Sequence, residues 1–320
     1  MGGGRRPFRF GVIGERSVSR ERLLDGARRA EALGYSTLLL RDHFVPEAFG
    51  DQLAPMVALA AAAEATRTLR VGTLVLDNDH RHPVLLAKEV ATLDVLSEGR
   101  FELGIGAGWL RAEYRRAGLR FDDPAVRVDR LEESLQVIKG LLAGSEFSFA
   151  GGHYTVEGIA GFPAPVQRPH PPILVGAGSP RMLGIAGREA DIAGILPRAL
   201  PAGEISGELS ERSPETVGRK AERVRQAAEA RSREVELSLV LAVAPGADRR
   251  AAAERFAAEQ GWGAAAGELV LEMPSVAAGP PEQVAEELRS RRDRYGFSYL
   301  VVADADMEAF APVVDRLAGT

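Results

Sequence analysis

The chain has 320 residues, 45% hydrophobic and 27% charged, enough to bury a full core without disulfides or metals, which excludes disorder and fibrous structure. Forty basic against forty-five acidic residues leave a net charge of −5, so no global positive field holds nucleic acid or anionic lipid. With no cysteine there are no disulfides, thiolate nucleophiles, iron–sulfur clusters or Cys-ligated zinc, and secretion gains no support.

The Met1–Arg6 stretch enters an apolar run at Phe8–Ile13 that is too short for a signal-peptide core. No apolar stretch approaches the length of a membrane span, so a cytoplasmic protein is the expectation. Eight β-branched or aliphatic runs then alternate with longer amphipathic stretches, the pattern of βα units and a parallel sheet. The predicted strands are Arg9–Ile13, Thr37–Leu40, Leu69–Leu76, Phe101–Ile105, Ile173–Val175, Ile192–Leu196, Val235–Val243 and Tyr299–Val302. The predicted helices are Arg20–Leu33, Pro55–Thr66, Val84–Leu96, Val126–Leu142, Arg181–Gly187, Pro214–Ala230, Arg249–Glu259 and Pro281–Tyr295.

This count suggests an α/β fold, a (β/α)₈ TIM barrel, in a single domain over 1–320. Two open doubly wound sheets share the count, but no Pro/Gly/Ser linker divides the chain. The longest excursion, 106–172, is an insertion between strands 4 and 5. It carries a hairpin-like segment around Gly151-Gly152 and is expected over the C-terminal mouth, as a lid. Glu204–Ser213 and Trp262–Pro281 are the least ordered stretches by composition.

Barrel sites form where strands end, so the residues just after each apolar run carry the chemistry. The second strand ends in Arg41-Asp42-His43-Phe44, placing an acid beside an imidazole. There a protonated His donates to a developing anion while the Asp holds a polar ligand edge. The third runs into Asp77-Asn78-Asp79-His80-Arg81-His82. His80 and His82 lack an evident third ligand and flank a cationic Arg81, so no metal is expected. The fourth delivers Gly104-Ile105-Gly106-Ala107-Gly108-Trp109, which is not the dinucleotide fingerprint but offers bare backbone for a flat ring beside an indole. After the fifth, Gly176-Ala177-Gly178-Ser179-Pro180-Arg181-Met182 opens a helix, with N–H donors and a positive dipole end suited to phosphate. Ordinary capping by Ser179 is the alternative. Together these sites describe a phosphorylated, flavin-like cofactor.

In these blocks, Asp42-His43-Phe44, Val71–Leu76, Gly104–Trp109 with Glu113-Tyr114, and Pro172–Ser179, the chain resembles the bacterial luciferase-like flavin-dependent oxidoreductases, in their coenzyme F420 branch. The resemblance implies a barrel, a homodimer, and a non-prolyl cis peptide after the third strand, here at Leu74-Val75. It places Asp42 and His43 at the ring's polar edge, Thr73, Leu74 and Val75 at the ring-bearing bulge, and Asp77 near the side chain. Gly106, Ala107, Gly108 and Trp109 would line one flank. Gly176, Gly178, Ser179, Arg181 and Met182 would serve the phosphate. His43, Asp42 and Glu113 are the catalytic candidates, Glu113 on condition that its loop turns it inward. The implied activity is hydride transfer between F420 and a small-molecule substrate. The alternative is an FMN-dependent monooxygenase using dioxygen and a partner reductase. The family's sugar-phosphate dehydrogenases have a catalytic glutamate where this chain has Trp109, and an asparagine where it has Ala112, which argues against sugar-phosphate oxidation.

Overall fold

The computed structural model describes residues 6–47, 49–231 and 233–320, so the Met1–Arg5 part of the N-terminal stretch lies outside the described residues. Eight parallel strands form the barrel: β1 (Arg9–Ile13), β2 (Thr37–Leu40), β3 (Arg70–Thr73), β4 (Phe101–Gly106), β5 (Ile173–Ala177), β6 (Ile192–Ile195), β7 (Glu236–Val240) and β8 (Phe297–Ala303). Hydrogen bonding runs β3-β2-β1-β8-β7-β6-β5-β4, and β3 pairs back with β4 at Val71↔Phe101 and Gly72↔Glu102 to close the ring.

All eight expected strands are present, and six helices open with a proline in the first turn: Pro55, Pro83, Pro124, Pro180, Pro214 and Pro281. The missing proline N–H falls where a helix has no use for it, so these residues mark the starts. One buried cluster draws Ile13, Leu39, Leu74, Leu174, Ile192, Tyr299 and Val301 from or beside six strands and fills the barrel interior. The larger core lies between strands and helices.

At the N-terminal end of the barrel the filling is ionic. The Arg9 guanidinium lies 2.6 Å from Glu102 and 2.7 Å from Glu236, over the Tyr299 ring, and Arg70 reaches Glu102 at 2.6 Å. Burial disfavours the Glu102 charge, yet the two arginines hold its carboxyl below the usual range. Five strands are thus tied at the face opposite the strand C-termini, where such residues serve stability.

Three features depart from the expected pattern. The third strand divides into Arg70–Thr73 and Leu76–Asp77 around a cis Leu74-Val75 peptide, the position the resemblance implies. The Val235–Val243 run leaves the barrel after Val240, and Ala242–Pro245 pairs with a strand at Val276–Gly279. That strand, with a 3₁₀ turn at Ala264–Ala266 and a helix at Gly267–Glu272, orders most of the Trp262–Pro281 stretch. Its Ala277-Ala278-Gly279 sequence lacks the β-branched signature of a strand, so only the partner reveals it. The helix that follows β8 is Met307–Leu317, which composition obscures because Pro312 stands inside it, whereas Arg249–Glu259 belongs to the excursion after β7.

Candidate active site

A cavity of about 430 Å³ opens where the strands end. Its floor is Leu74, Val75 and Leu76; its walls come from Gly106 at the end of β4 and Ala107, Gly108 and Trp109 after it, Gly176 on β5 and Met182 after it, Leu196 and Pro197 after β6, and Phe256 and Trp262 in the excursion after β7. The wall is chiefly apolar; Asp42, His43, Asp77 and Glu113 form one polar edge, and Arg41, Glu211, Arg212 and Gln260 add polar groups elsewhere in the lining.

The polar edge is assembled from distant segments. Glu113, on the short helix Arg111–Ala117, is buried and turned inward, its Oε2 lying 3.1 Å from His43 Nδ1. Its other oxygen accepts from the Phe44 amide. Burial disfavours the Glu113 charge, but the His43 and Phe44 hydrogen bonds outweigh it and hold the carboxyl below its usual range. A carboxylate only accepts, so the His43 Nδ1 carries hydrogen and Nε2 is left for the cavity. The ring is fixed by Phe49 at 5.0 Å and by Trp109, roughly perpendicular, at 5.9 Å.

Asp42 lines the cavity too, but its carboxylate is already engaged. Arg81 holds both oxygens, the Asp77 amide donates to Oδ2, and His80 Nδ1 lies 3.5 Å away. Burial opposes this charge, and His80 and Arg81 overcome it, holding the carboxyl down at about 2. Asp42 thus braces the edge and has little capacity left for a ligand. His80 spans Asp42 and Asp77 beneath the stacked Phe44 ring, while His82 accepts from the Val84 amide at a helix start, so the pair serves packing and capping.

Four residues expected to touch the cofactor do not line the cavity. The Thr73 hydroxyl donates to the Gly104 carbonyl and accepts from the Gly104 amide, stapling β3 to β4. Gly178 packs against Pro197, whose carbonyl would lie 2.5 Å from an added Cβ. Ser179 caps the helix Pro180–Glu189, accepting from the Met182 amide. The Arg181 guanidinium pairs with Asp129 and Glu132 on the helix Pro124–Leu142. Of the 106–172 insertion, Gly106–Trp109 and Glu113 reach the cavity. Its hairpin, Glu146–Ala150 with Thr155–Ala160, is pinned to that same helix through Glu133, which accepts from the amides of Gly152, His153 and Tyr154. Trp262, Phe256, Phe49 and Arg212 line the cavity without having been singled out in the sequence. The chain's scarcity of tryptophan, two in all, was the available signal for Trp262.

Burial pushes the Asp77 carboxyl up to about 6, against the pull of His80 and the Asp79 amide. A carboxyl raised above its unfolded value of 3.8 stabilises the fold in its protonated form, so that stability is full below about pH 4 and lost as pH rises through about 6. Asp77→Asn keeps an oxygen for the Tyr114 hydroxyl, 2.9 Å away, and removes the charge. By calorimetry this variant is expected to melt about 3 °C or more above the wild type at pH 8, the gap closing by pH 4. A lower melting temperature at pH 8 would mean that His80 depends on the charge.

The model of the luciferase-like monooxygenase family matches residues 6–299. The chain belongs to the luciferase-like monooxygenase family. Among its relatives, an F420-dependent glucose-6-phosphate dehydrogenase of Microbacterium testaceum is 34% identical over 58% of this chain and 55% of its own length. An FMNH(2)-dependent dimethylsulfone monooxygenase of Pseudomonas putida is 31% identical over 52% of this chain and 46% of its own. The chain thus spans about half the length of these curated relatives. The luciferase-like barrel itself is matched by the coenzyme F420 dependent tetrahydromethanopterin reductase from Methanopyrus kandleri, with a TM-score of 0.75 and 19% identity over 98% of this chain and 99% of that one.

Proposed function

We propose that this protein is an F420-dependent oxidoreductase that moves a hydride between the deazaflavin and a small organic substrate. The observation that carries the reading is the His43–Glu113 pair at the polar edge of an apolar cavity. The cavity floor also fits a flat ring. A Cβ at Gly106 would come 3.0 Å from Val75 Cγ2, and one at Gly176 would lie 3.2 Å from Leu196 and 3.4 Å from both Val75 methyl groups. Both glycines therefore keep the space above Val75 open.

When bound, the deazaflavin would supply hydride acceptance and donation at a ring carbon. Val75, Gly106 and Gly176 would hold the ring, and Trp109 would close one flank. His43 would give or take the substrate proton at Nε2, its tautomer and orientation set by Glu113. The apolar wall excludes water from the reacting edge. By the resemblance, Trp109 and Ala112 stand where sugar-phosphate dehydrogenases of the family have acid and amide side chains, which argues against a sugar-phosphate substrate. Homodimeric assembly, drawn from the resemblance, and a cytoplasmic setting, drawn from the lack of an apolar stretch of membrane-span length, are part of the same proposal. Among the described residues, no helix is long and apolar enough to cross a membrane.

The FMNH(2)-dependent relative supports a second reading, an FMN monooxygenase served by a separate reductase. Equilibrium titration of cofactor-stripped protein with F420 and with FMN, followed by tryptophan fluorescence, separates the two, since Trp109 and Trp262 both line the cavity. Micromolar or tighter F420 binding with weak FMN binding is expected. The reverse preference moves the protein to the FMN class, and binding of neither overturns both.

A further inference from the structure

Two arginines line the cavity, and their surroundings differ. Arg41 is satisfied: it lies over the Phe49 ring and its guanidinium meets Glu15 at 2.6 Å. Arg212 is not. Its Nη1 is closed off from solvent and has no hydrogen-bond acceptor among the described residues. The adjacent carboxylate, Glu211, is taken by Lys220 at 2.6 Å and by the Arg198 amide. These bonds pin the short turn Leu209–Arg212 beneath the end of β6, because Lys220 also donates to the Leu196 carbonyl, and so fix Arg212 in the wall. Burial opposes the Arg212 charge and Glu211 offsets it only in part. A guanidinium carries five donors and cannot shed its proton at accessible pH, so an arginine of the cavity wall with an unmet donor suits an acceptor from outside the chain, met once the side chain turns Nη1 toward the cavity.

We propose that Arg212 is the anion-recognition residue of this cavity, taking a carboxylate or phosphate oxygen of the molecule bound there. The proposal deepens the reading given under Proposed function and rests on the cavity being the ligand site. Arg181, expected to meet a phosphate, is committed to Asp129 and Glu132 and does not line the cavity, whereas Arg212 lies in its wall with a donor unmet. The anion has two sources of shared chemistry, the phosphate-bearing side chain of the cofactor or an acidic group on the substrate.

The test compares wild type, Arg212→Gln and Arg212→Lys, each checked for an unchanged melting temperature and circular dichroism spectrum. Tryptophan fluorescence titrations use F420, the same deazaflavin lacking its phosphate and tail, benzoate, and benzamide. If the cofactor supplies the anion, wild type prefers F420 to the phosphate-free form by about tenfold to a hundredfold, and Arg212→Gln erases the preference. If the substrate supplies it, benzoate binds over benzamide by a similar factor, and Arg212→Gln abolishes that difference while leaving the F420 preference intact. In either case Arg212→Lys retains part of the effect, because it keeps the charge and loses the fork. Anion preferences unchanged by Arg212→Gln, or absent from the wild type, overturn the proposal. Failure of the wild type to bind any deazaflavin overturns the F420 reading separately, since the benzoate and benzamide titrations still report on Arg212.

Discussion

Replacing His43 with alanine is expected to lower kcat for F420-dependent turnover by roughly two to four orders of magnitude while the Kd for F420 stays within a few fold. The imidazole is held from three sides, by Glu113 at 3.1 Å, Phe49 and Trp109, and this leaves Nε2 toward the cavity. Such placement costs ring rotation, which the Glu113 hydrogen bond and the two ring contacts offset, and it presents one defined nitrogen to a ligand. The companion variant is Glu113→Gln, whose carbonyl oxygen still accepts from the Phe44 amide but whose NH₂, facing His43 Nδ1, donates where the carboxylate accepted and so reverses the His43 tautomer. A fall in kcat of about tenfold to a hundredfold is expected, with cofactor affinity unchanged. Stopped-flow measurement of F420 absorbance on the first substrate found by screening reads both variants. Unchanged turnover in His43→Ala would remove the residue from proton transfer, and an equal loss of F420 affinity would make it a ring-binding residue instead.

Gly104→Ala is expected to destabilise the fold by about 3 kcal/mol or more, whereas Gly106→Ala is expected to cost less than about 1 kcal/mol and to weaken F420 binding about tenfold. The two residues lie on one strand and look alike in sequence. A Cβ at Gly104 would fall 1.8 Å from the Thr73 carbonyl oxygen, backbone of the neighbouring strand that no rotamer can move aside. At Gly106 the obstacle is Val75 Cγ2 at 3.0 Å, the end of a side chain that can shift into the open cavity. Urea unfolding gives the stabilities and fluorescence titration the affinities. Equal stability losses, or normal F420 binding by Gly106→Ala, would contradict this division. The third glycine, Gly108, has a third cause: φ is +76°, and an added Cβ would strike the Tyr114 hydroxyl.

The barrel was legible in the chain because each βα unit is a local statement. Apolar runs such as Arg9–Ile13 set the strands, and prolines and glycines mark the ends of the helices between them. The neighbourhood of the site was legible for the same reason, since barrel chemistry gathers after the strands and Asp42, His43 and Gly106–Trp109 follow theirs directly. The helix Met307–Leu317 and the strand Val276–Gly279 were not, the first because Pro312 interrupts its pattern and the second because its small residues carry no strand signal.

What each site residue does was decided by partners far along the chain. His43 and Glu113 are 70 positions apart, Arg9 and Glu236 are 227 apart, and nothing in the local sequence says that either pair meets. Arg181 and Arg212 are chemically identical, yet Asp129 and Glu132 satisfy the first while Nη1 of the second is left unmet beside the cavity. Residue type and spacing determined the units, their order and the end of the barrel where chemistry gathers, because hydrophobic periodicity and turn stereochemistry act within a few residues. Which charge is satisfied, and which remains free to meet a ligand, depends on close approach in a buried, low-dielectric setting, and only closure of the barrel brings those groups together.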